Sequence, residues 1–174
     1  MTGGKTCAEW SQYLHDVVGL SGTPRELNDE VVRRMLGRYA EELPLIDGAA
    51  DAVRRLRASF RLAVASSSNR ELIDGVLDAA GLADLFEATV SSEEVPRGKP
   101  APDVFLEAAR RLAVAPERCA AIEDSANGIR AAHAAGMRVV AIPNRRYPPA
   151  ADALELADEV VDSIAKLSPE LVAA

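Results

Sequence analysis

Aromatic side chains are scarce in this sequence: three Phe, three Tyr and one Trp make up 4% of its 174 residues. Its core must therefore be built mostly from Ala, Leu, Val and Ile. The two cysteines, Cys7 and Cys119, are too few and too far apart for a disulfide framework or a zinc site. No apolar run approaches the roughly 18 residues that span a bilayer. The opening Met-Thr-Gly-Gly-Lys-Thr-Cys has no apolar signal core behind its charge. Positive charge is in deficit, 20 Lys and Arg against 27 Asp and Glu for a net −7, which argues against a binder of nucleic-acid phosphates, since that would need a basic face. Repeats, low-complexity blocks and long linkers are absent as well. What is present is a 48% hydrophobic share, ordinary for a globular chain. These features predict an acidic, soluble, cytoplasmic protein with no nucleic-acid or membrane partner, in one domain or one domain with a small appendage.

The hydrophobic period changes along the chain. Residues 6–42 read as two helices. Trp10, Tyr13, Leu14, Val17 and Val18 recur at helical spacing before Gly19, and Thr23-Pro24-Arg25-Glu26 forms a capping-box start for the second helix. From Asp47-Gly48 onward, short apolar runs alternate with helices of about ten residues. The runs are Leu62–Ala65, Ala88–Val90, Cys119–Ile122, Met137–Ile142 and Glu159–Val161; the helices are 49–58, 70–80, 103–113 and 126–135, with Gly81 and Gly136 placed as stops. This alternation predicts an α/β fold, a parallel sheet flanked by helices on both faces, with a helical appendage at the front.

In such sheets ligands bind beyond the carboxyl ends of the strands, and three strands end in residues suited to phosphate and metal. Ser66-Ser67-Ser68-Asn69 offers hydroxyls and an amide at a helix start, whose free N–H groups favour an anion. Lys99 is an isolated cation between Gly98 and Pro100, and Glu123-Asp124 supplies hard oxygen ligands for Mg²⁺. Alone, the serine run reads as an N-cap, Lys99 as a solvated side chain and Glu123-Asp124-Ser125 as a cap for the next helix. Their order and shared position favour phosphoryl transfer. Elsewhere, His15 and His133 read as structural or surface residues, Cys119 as a small buried hydrophobe, Arg145-Arg146 as a solvated pair and Asp103 as an N-cap.

Ala65-Ser66-Ser67-Ser68-Asn69, Gly98-Lys99-Pro100-Ala101-Pro102-Asp103 and Ile122-Glu123-Asp124-Ser125-Ala126-Asn127-Gly128-Ile129 together resemble the haloacid dehalogenase (HAD) superfamily. Within it they look most like the β-phosphoglucomutase and small sugar-phosphate phosphatase subgroup. The resemblance implies a Rossmann-like core over 44–174 and a partial helical cap over 1–43. It also implies that Ser66 holds the transferring phosphoryl group, aided by N–H groups near Ser67, and that Lys99 neutralises that group and the nucleophile. Asp124 would ligate Mg²⁺, with Glu123 contributing directly or through water, while Asn69, Ser125 and Asn127 support these loops from behind. Met1–Lys5, with Gly3 and Lys5, resembles the substrate-specificity loop, though a Gly-rich start is also what a frayed terminus looks like.

The family's chemistry begins on a strand ending in Asp-x-Asp-Gly-Thr, whose first Asp attacks phosphorus and whose second is general acid and base. This sequence contains no such segment; Asp47-Gly48 is the nearest echo and opens a helix. Roughly 40–60 residues of strand, loop and cap helix are lacking by typical element lengths. That strand belongs in the sheet between the strand before Ser66 and the one before Glu123. Its loss exposes unpaired backbone groups at about 1–3 kcal/mol each. The sequence therefore predicts a chain truncated by an internal start at Met1, a sheet re-paired across the gap, or a strand supplied by a partner, with truncation preferred. The expected activity is Mg²⁺-dependent hydrolysis of a small phosphorylated metabolite through an aspartyl phosphate, with this chain itself inactive. A phosphomutase and a non-catalytic phosphate-binding protein are the alternatives, and a monomer or a strand-completing homodimer is the expected state.

Overall fold

The computed structural model describes residues 7–173. At the front, α1 (Cys7–Asp16) packs against α2 (Pro24–Glu41). Both halves of the predicted capping box form: the Thr23 hydroxyl accepts from the Glu26 N–H at 3.3 Å, and the Glu26 carboxylate accepts from the Thr23 N–H at 2.8 Å. The remainder alternates as α3 (Ala49–Arg57), β1 (Ala63–Ser66), α4 (Arg70–Ala79), β2 (Ala88–Ser91), α5 (Asp103–Arg111), β3 (Ala120–Glu123), α6 (Ala126–Ala134), β4 (Arg138–Ala141), α7 (Ala151–Leu154), β5 (Glu159–Val160) and α8 (Pro169–Ala173). Gly81 and Gly136 follow α4 and α6 at φ +61° and +73°, the left-handed conformation a stop at those positions needs. Asp103 does not cap α5. Pro102 occupies that position, and the Asp103 carboxylate is drawn instead to Arg97, 2.8 Å away. No helix among the described residues is long and apolar enough to cross a membrane.

All strand pairs are parallel, and both faces are covered. In β4, Val139 and Ala141 point into a core with Val104, Phe105, Ile129 and Ala132, whereas Val140 points the other way, to Leu56 and Leu167. β1 divides likewise, Ala63 and Ala65 to the first core and Val64 to Ile73 and Leu77. This is the period-two alternation of strands between two helical layers. The core is alanine-rich, as the scarcity of aromatics requires.

The strands form two sheets rather than one: β1 with β2, Ala63 opposite Ala88, and β3–β4–β5, Ala120 opposite Arg138. Between β1 and β3 lies a cavity of about 760 Å³, walled by Leu56 of α3 and Leu167 on one face and Phe105 and Ala109 of α5 on the other. The sheet does not re-pair across the gap.

Beyond β2, Glu94 pairs with Arg70 and with Arg111, the latter at 2.7 Å, and accepts the Ser91 N–H at 2.9 Å. Partial burial pushes its carboxyl up, but Arg70, the Ser91 N–H and Arg111 outweigh it and hold the pKa at about 2, down from 4.5. A lowered carboxylate pKa stabilises the fold above the unfolded value and loses that contribution as pH falls from 4.5 toward 2. Glu94→Gln is therefore expected to lower unfolding free energy at pH 6 by on the order of 2 kcal/mol, with the difference from wild type shrinking by pH 2.5. Urea titrations at the two pH values check this.

Candidate functional site

The predicted serine loop follows β1 and is fastened from behind. Ser66 Oγ accepts from the Ser68 N–H at 3.1 Å. The buried hydroxyls of Ser91 and Ser92 donate to the Ser68 and Ser67 carbonyls at 2.7 and 3.1 Å. Asn69 precedes α4 but does not cap it with its side chain. Its Nδ2 donates to Glu93 Oε1 at 2.8 Å and to Asn28 Oδ1 of α2 at 3.1 Å. The α4 cap comes from Glu93, whose Oε2 accepts the Arg70 N–H at 2.8 Å. A polar chain thus runs from the front helices through Asn69 to the loop after β2.

Lys99 is folded inward. Its ammonium donates to the Ala65 carbonyl at 3.1 Å and to the Glu123 carboxylate, and lies 4.6 Å from the Phe105 ring centre. It therefore joins the carboxyl ends of β1 and β3 and brings Ser66, Lys99 and Glu123 to one mouth. The second Glu123 oxygen accepts from the Asp124 N–H, the Ser125 N–H and the Ser125 hydroxyl at 3.1, 3.3 and 3.1 Å. Ser125 caps α6 by accepting the Gly128 N–H at 3.1 Å. Glu123 thus sits as a bound anion on the N-terminus of α6, where the helix dipole favours it. Space for it exists because residue 128 is glycine; a Cβ there would fall 1.9 Å from the carboxylate carbon.

Asp124, next along, is exposed. Asn144, in the turn after β4, donates to its Oδ2 at 3.3 Å. Asn144 Oδ1 in turn accepts the Arg146 and Tyr147 N–H groups at 3.0 and 3.1 Å, an Asx-type turn that fixes the amide. Among the described residues no group of three or more His, Cys, Asp or Glu is gathered for a metal ion. Asp124 is a single hard-oxygen donor, the kind Mg²⁺ takes with water and phosphate oxygens completing its shell, whereas both Glu123 oxygens are engaged. Asn127 is half-buried in the first turn of α6. Gly3 and Lys5 lie outside the described residues.

Sequence reasoning missed Glu93 and Asn144. The signal for Asn144 was present, because it follows β4 at the same carboxyl end of the sheet as the other three loops. Glu93 had none, since its partners lie on α2 and the serine loop.

The model of the haloacid dehalogenase-like hydrolases matches residues 4–136. The chain belongs to this family. It is 34% identical over 163 residues, 92% of its own length and 42% of the relative's, to the bifunctional riboflavin kinase/FMN phosphatase of Arabidopsis thaliana. It is 37% identical over 120 residues, 68% of its length and 54% of the relative's, to hexitol phosphatase B of Escherichia coli K12. This family member therefore spans about half the length of those relatives. Its fold superposes on that of CbbY from Rhodobacter sphaeroides in complex with xylulose-(1,5)bisphosphate with a TM-score of 0.82, at 29% identity, covering 98% of this chain and 79% of that one. The serine, lysine and Glu-Asp loops are the segments by which the sequence alone resembles the family.

Proposed function

We propose that the chain carries the phosphate-handling half of a phosphohydrolase acting on a small phosphorylated metabolite, a sugar or sugar-alcohol phosphate being the favoured class. The carrying observation is Lys99, whose buried ammonium joins the carboxyl ends of β1 and β3 beside the serine loop and Asp124. Support comes from relatives named as phosphatases of FMN and hexitol phosphates. Ser66 and the N–H groups of its loop hold the phosphoryl oxygens, and Lys99 offsets their charge. Asp124, steadied by Asn144, would hold Mg²⁺, which supplies Lewis-acid neutralisation of the phosphate. The front helices, tied to the core through Asn28 and Asn69, serve as part of a cap that excludes water. The attacking carboxylate and the aspartyl phosphate it forms fall to a segment supplied from outside these 174 residues, because the sequence has no Asp-x-Asp-Gly-Thr. Alone, the 174 residues bind phosphate without turnover, and the active protein is cytoplasmic.

Phosphate binding by the 174-residue protein with Mg²⁺, followed by ³¹P NMR, and turnover of hexitol phosphates, FMN and xylulose 1,5-bisphosphate test the reading together. Asp124→Ala is expected to weaken Mg²⁺-dependent phosphate binding at least about tenfold. Active protein from its own cells is expected to exceed 18.5 kDa. Turnover by the 174 residues, abolished by Asp124→Ala, would refute the external nucleophile; absence of phosphate binding would refute the site.

A further inference from the structure

We propose that Arg146 is a specificity-determining residue, which grips a second anionic group at the far end of the phosphorylated substrate. The inference rests on the phosphohydrolase reading and narrows its substrate class to metabolites that carry an oxyanion at each end. In the sequence Arg145 and Arg146 are a pair, but the turn after β4 gives them different surroundings. Arg145 Nη2 donates to the Asp162 carbonyl, 3.5 Å away beyond β5. Arg146 has no carboxylate partner among the described residues, and its guanidinium lies 5.6 Å from the centre of the Tyr147 ring. Tyr147 is 71% exposed, so in a chain with only three tyrosines one stands outside the core. A ring that exposed adds little apolar burial. Its face restrains the guanidinium instead.

The turn is fixed to the site rather than merely near it. The Asn144 N–H donates to the Asp124 carbonyl at 3.4 Å, and its side-chain amide donates to Asp124 Oδ2 at 3.3 Å. The same amide accepts the Arg146 N–H at 3.0 Å and the Tyr147 N–H at 3.1 Å. The Arg146 backbone is thereby held within about 9 Å of the Asp124 carboxylate, the span of two hydrogen bonds and one amide group. Half-buried Pro143 and buried Pro149 bound the turn, and each has a fixed φ. A cation presented on such a turn binds with little ordering cost.

Position decides which anion it meets. The reacting phosphoryl group already has the Ser66 loop and the buried Lys99 ammonium, with Asp124 for the metal. Glu123 pairs inward with Lys99, whereas Asp124 and Arg146 are exposed, so Arg146 stands outward of the reacting group. The leaving group extends on that side, and a guanidinium takes a carboxylate or phosphate there through paired N–H donors. In a chain of net charge −7, a free cation at the mouth also offsets the repulsion a doubly anionic ligand would meet.

The probes are inorganic phosphate and a matched pair of ligands, the monophosphate and the bisphosphate of a five-carbon straight-chain diol. Each is titrated into the 174-residue protein with Mg²⁺ and followed by ³¹P NMR and calorimetry. The bisphosphate is expected to bind at least about tenfold more tightly than the monophosphate. Arg146→Gln is expected to bring that ratio below about threefold, where the choice of either end already accounts for about two. Arg146→Lys should restore part of it as a point charge without the fork. Arg145→Gln, the same charge change one residue away, should leave it in place. Failure of inorganic phosphate and the monophosphate to bind would refute the site, and this inference with it. Binding of both with a ratio that Arg146→Gln leaves unchanged would overturn this inference alone. So would equal losses in the Arg145 and Arg146 variants, because net charge would then account for the preference.

Discussion

Lys99→Met is expected to lower stability by about 3 kcal/mol, the lower end of the cost of breaking a buried ion pair. The lysine and Glu123 side chains are each only 9% exposed. Removing the ammonium leaves the carboxylate buried beside a methionine, with the Ala65 carbonyl also unpaired. The cost stays at the lower end because Glu123 keeps its two N–H donors and the Ser125 hydroxyl. For a chain of this size that is a fall in melting temperature of about 6–12 °C. The double variant Lys99→Met/Glu123→Gln should recover at least half of the loss, because the uncompensated charge is then gone. A double-mutant cycle by thermal and urea unfolding reads both numbers; additive losses would show that the two side chains are not coupled. Phosphate affinity should fall in the single variant and stay low in the double, separating the lysine's work on the ligand from its work on the fold.

Gly128→Ala should be nearly as damaging, although alanine is the better helix former. The new methyl would lie 1.9 Å from the Glu123 carboxylate carbon and 2.0 and 2.1 Å from its oxygens. The carboxylate is the free end of a flexible side chain, so it swings aside rather than forcing α6 to move. In doing so it gives up the Asp124 and Ser125 N–H groups, the Ser125 hydroxyl and Lys99, which is left buried and unpaired. A loss of about 2–4 kcal/mol follows. Gly37 in α2 is the control, because nothing lies within 4 Å of a Cβ built there. Gly37→Ala should therefore stabilise by about 0.5–1 kcal/mol. Opposite signs for the same chemical change in two helices would tie the first effect to Glu123; a neutral Gly128→Ala would refute the placement of the carboxylate.

The elements legible in the sequence are those whose causes are local. The Thr23 capping box, the glycine stops at 81 and 136 and the five strands each depend on residues a few positions apart. The loops at the strand ends were legible because parallel strands gather their carboxyl ends. What could not be read depends on which segment lies opposite which. Glu123 and Asp124 look like equivalent carboxylates side by side, but Glu123, the last residue of β3, pairs inward with Lys99, while Asp124, just past the strand, is left in solvent. Likewise, nothing near Asn69 in the chain shows that Glu93 caps α4 in its place. Asp103, four residues beyond Lys99, has the usual chemistry of an N-cap, yet Arg97 draws its carboxylate away.

The alanine-built core carries a consequence for mutational tolerance. Ala131, Ala132, Ala141 and Ala153 are all fully buried. Alanine has no rotamers to lose, so ordering these positions costs essentially no side-chain entropy. The same property leaves them no freedom to yield: a larger neighbour cannot be absorbed by a χ rotation and must displace backbone, at about 1–3 kcal/mol per overpacked site. Drift at these four positions is thereby confined to glycine, serine or alanine itself, while the leucine and valine positions around them can exchange volume with one another.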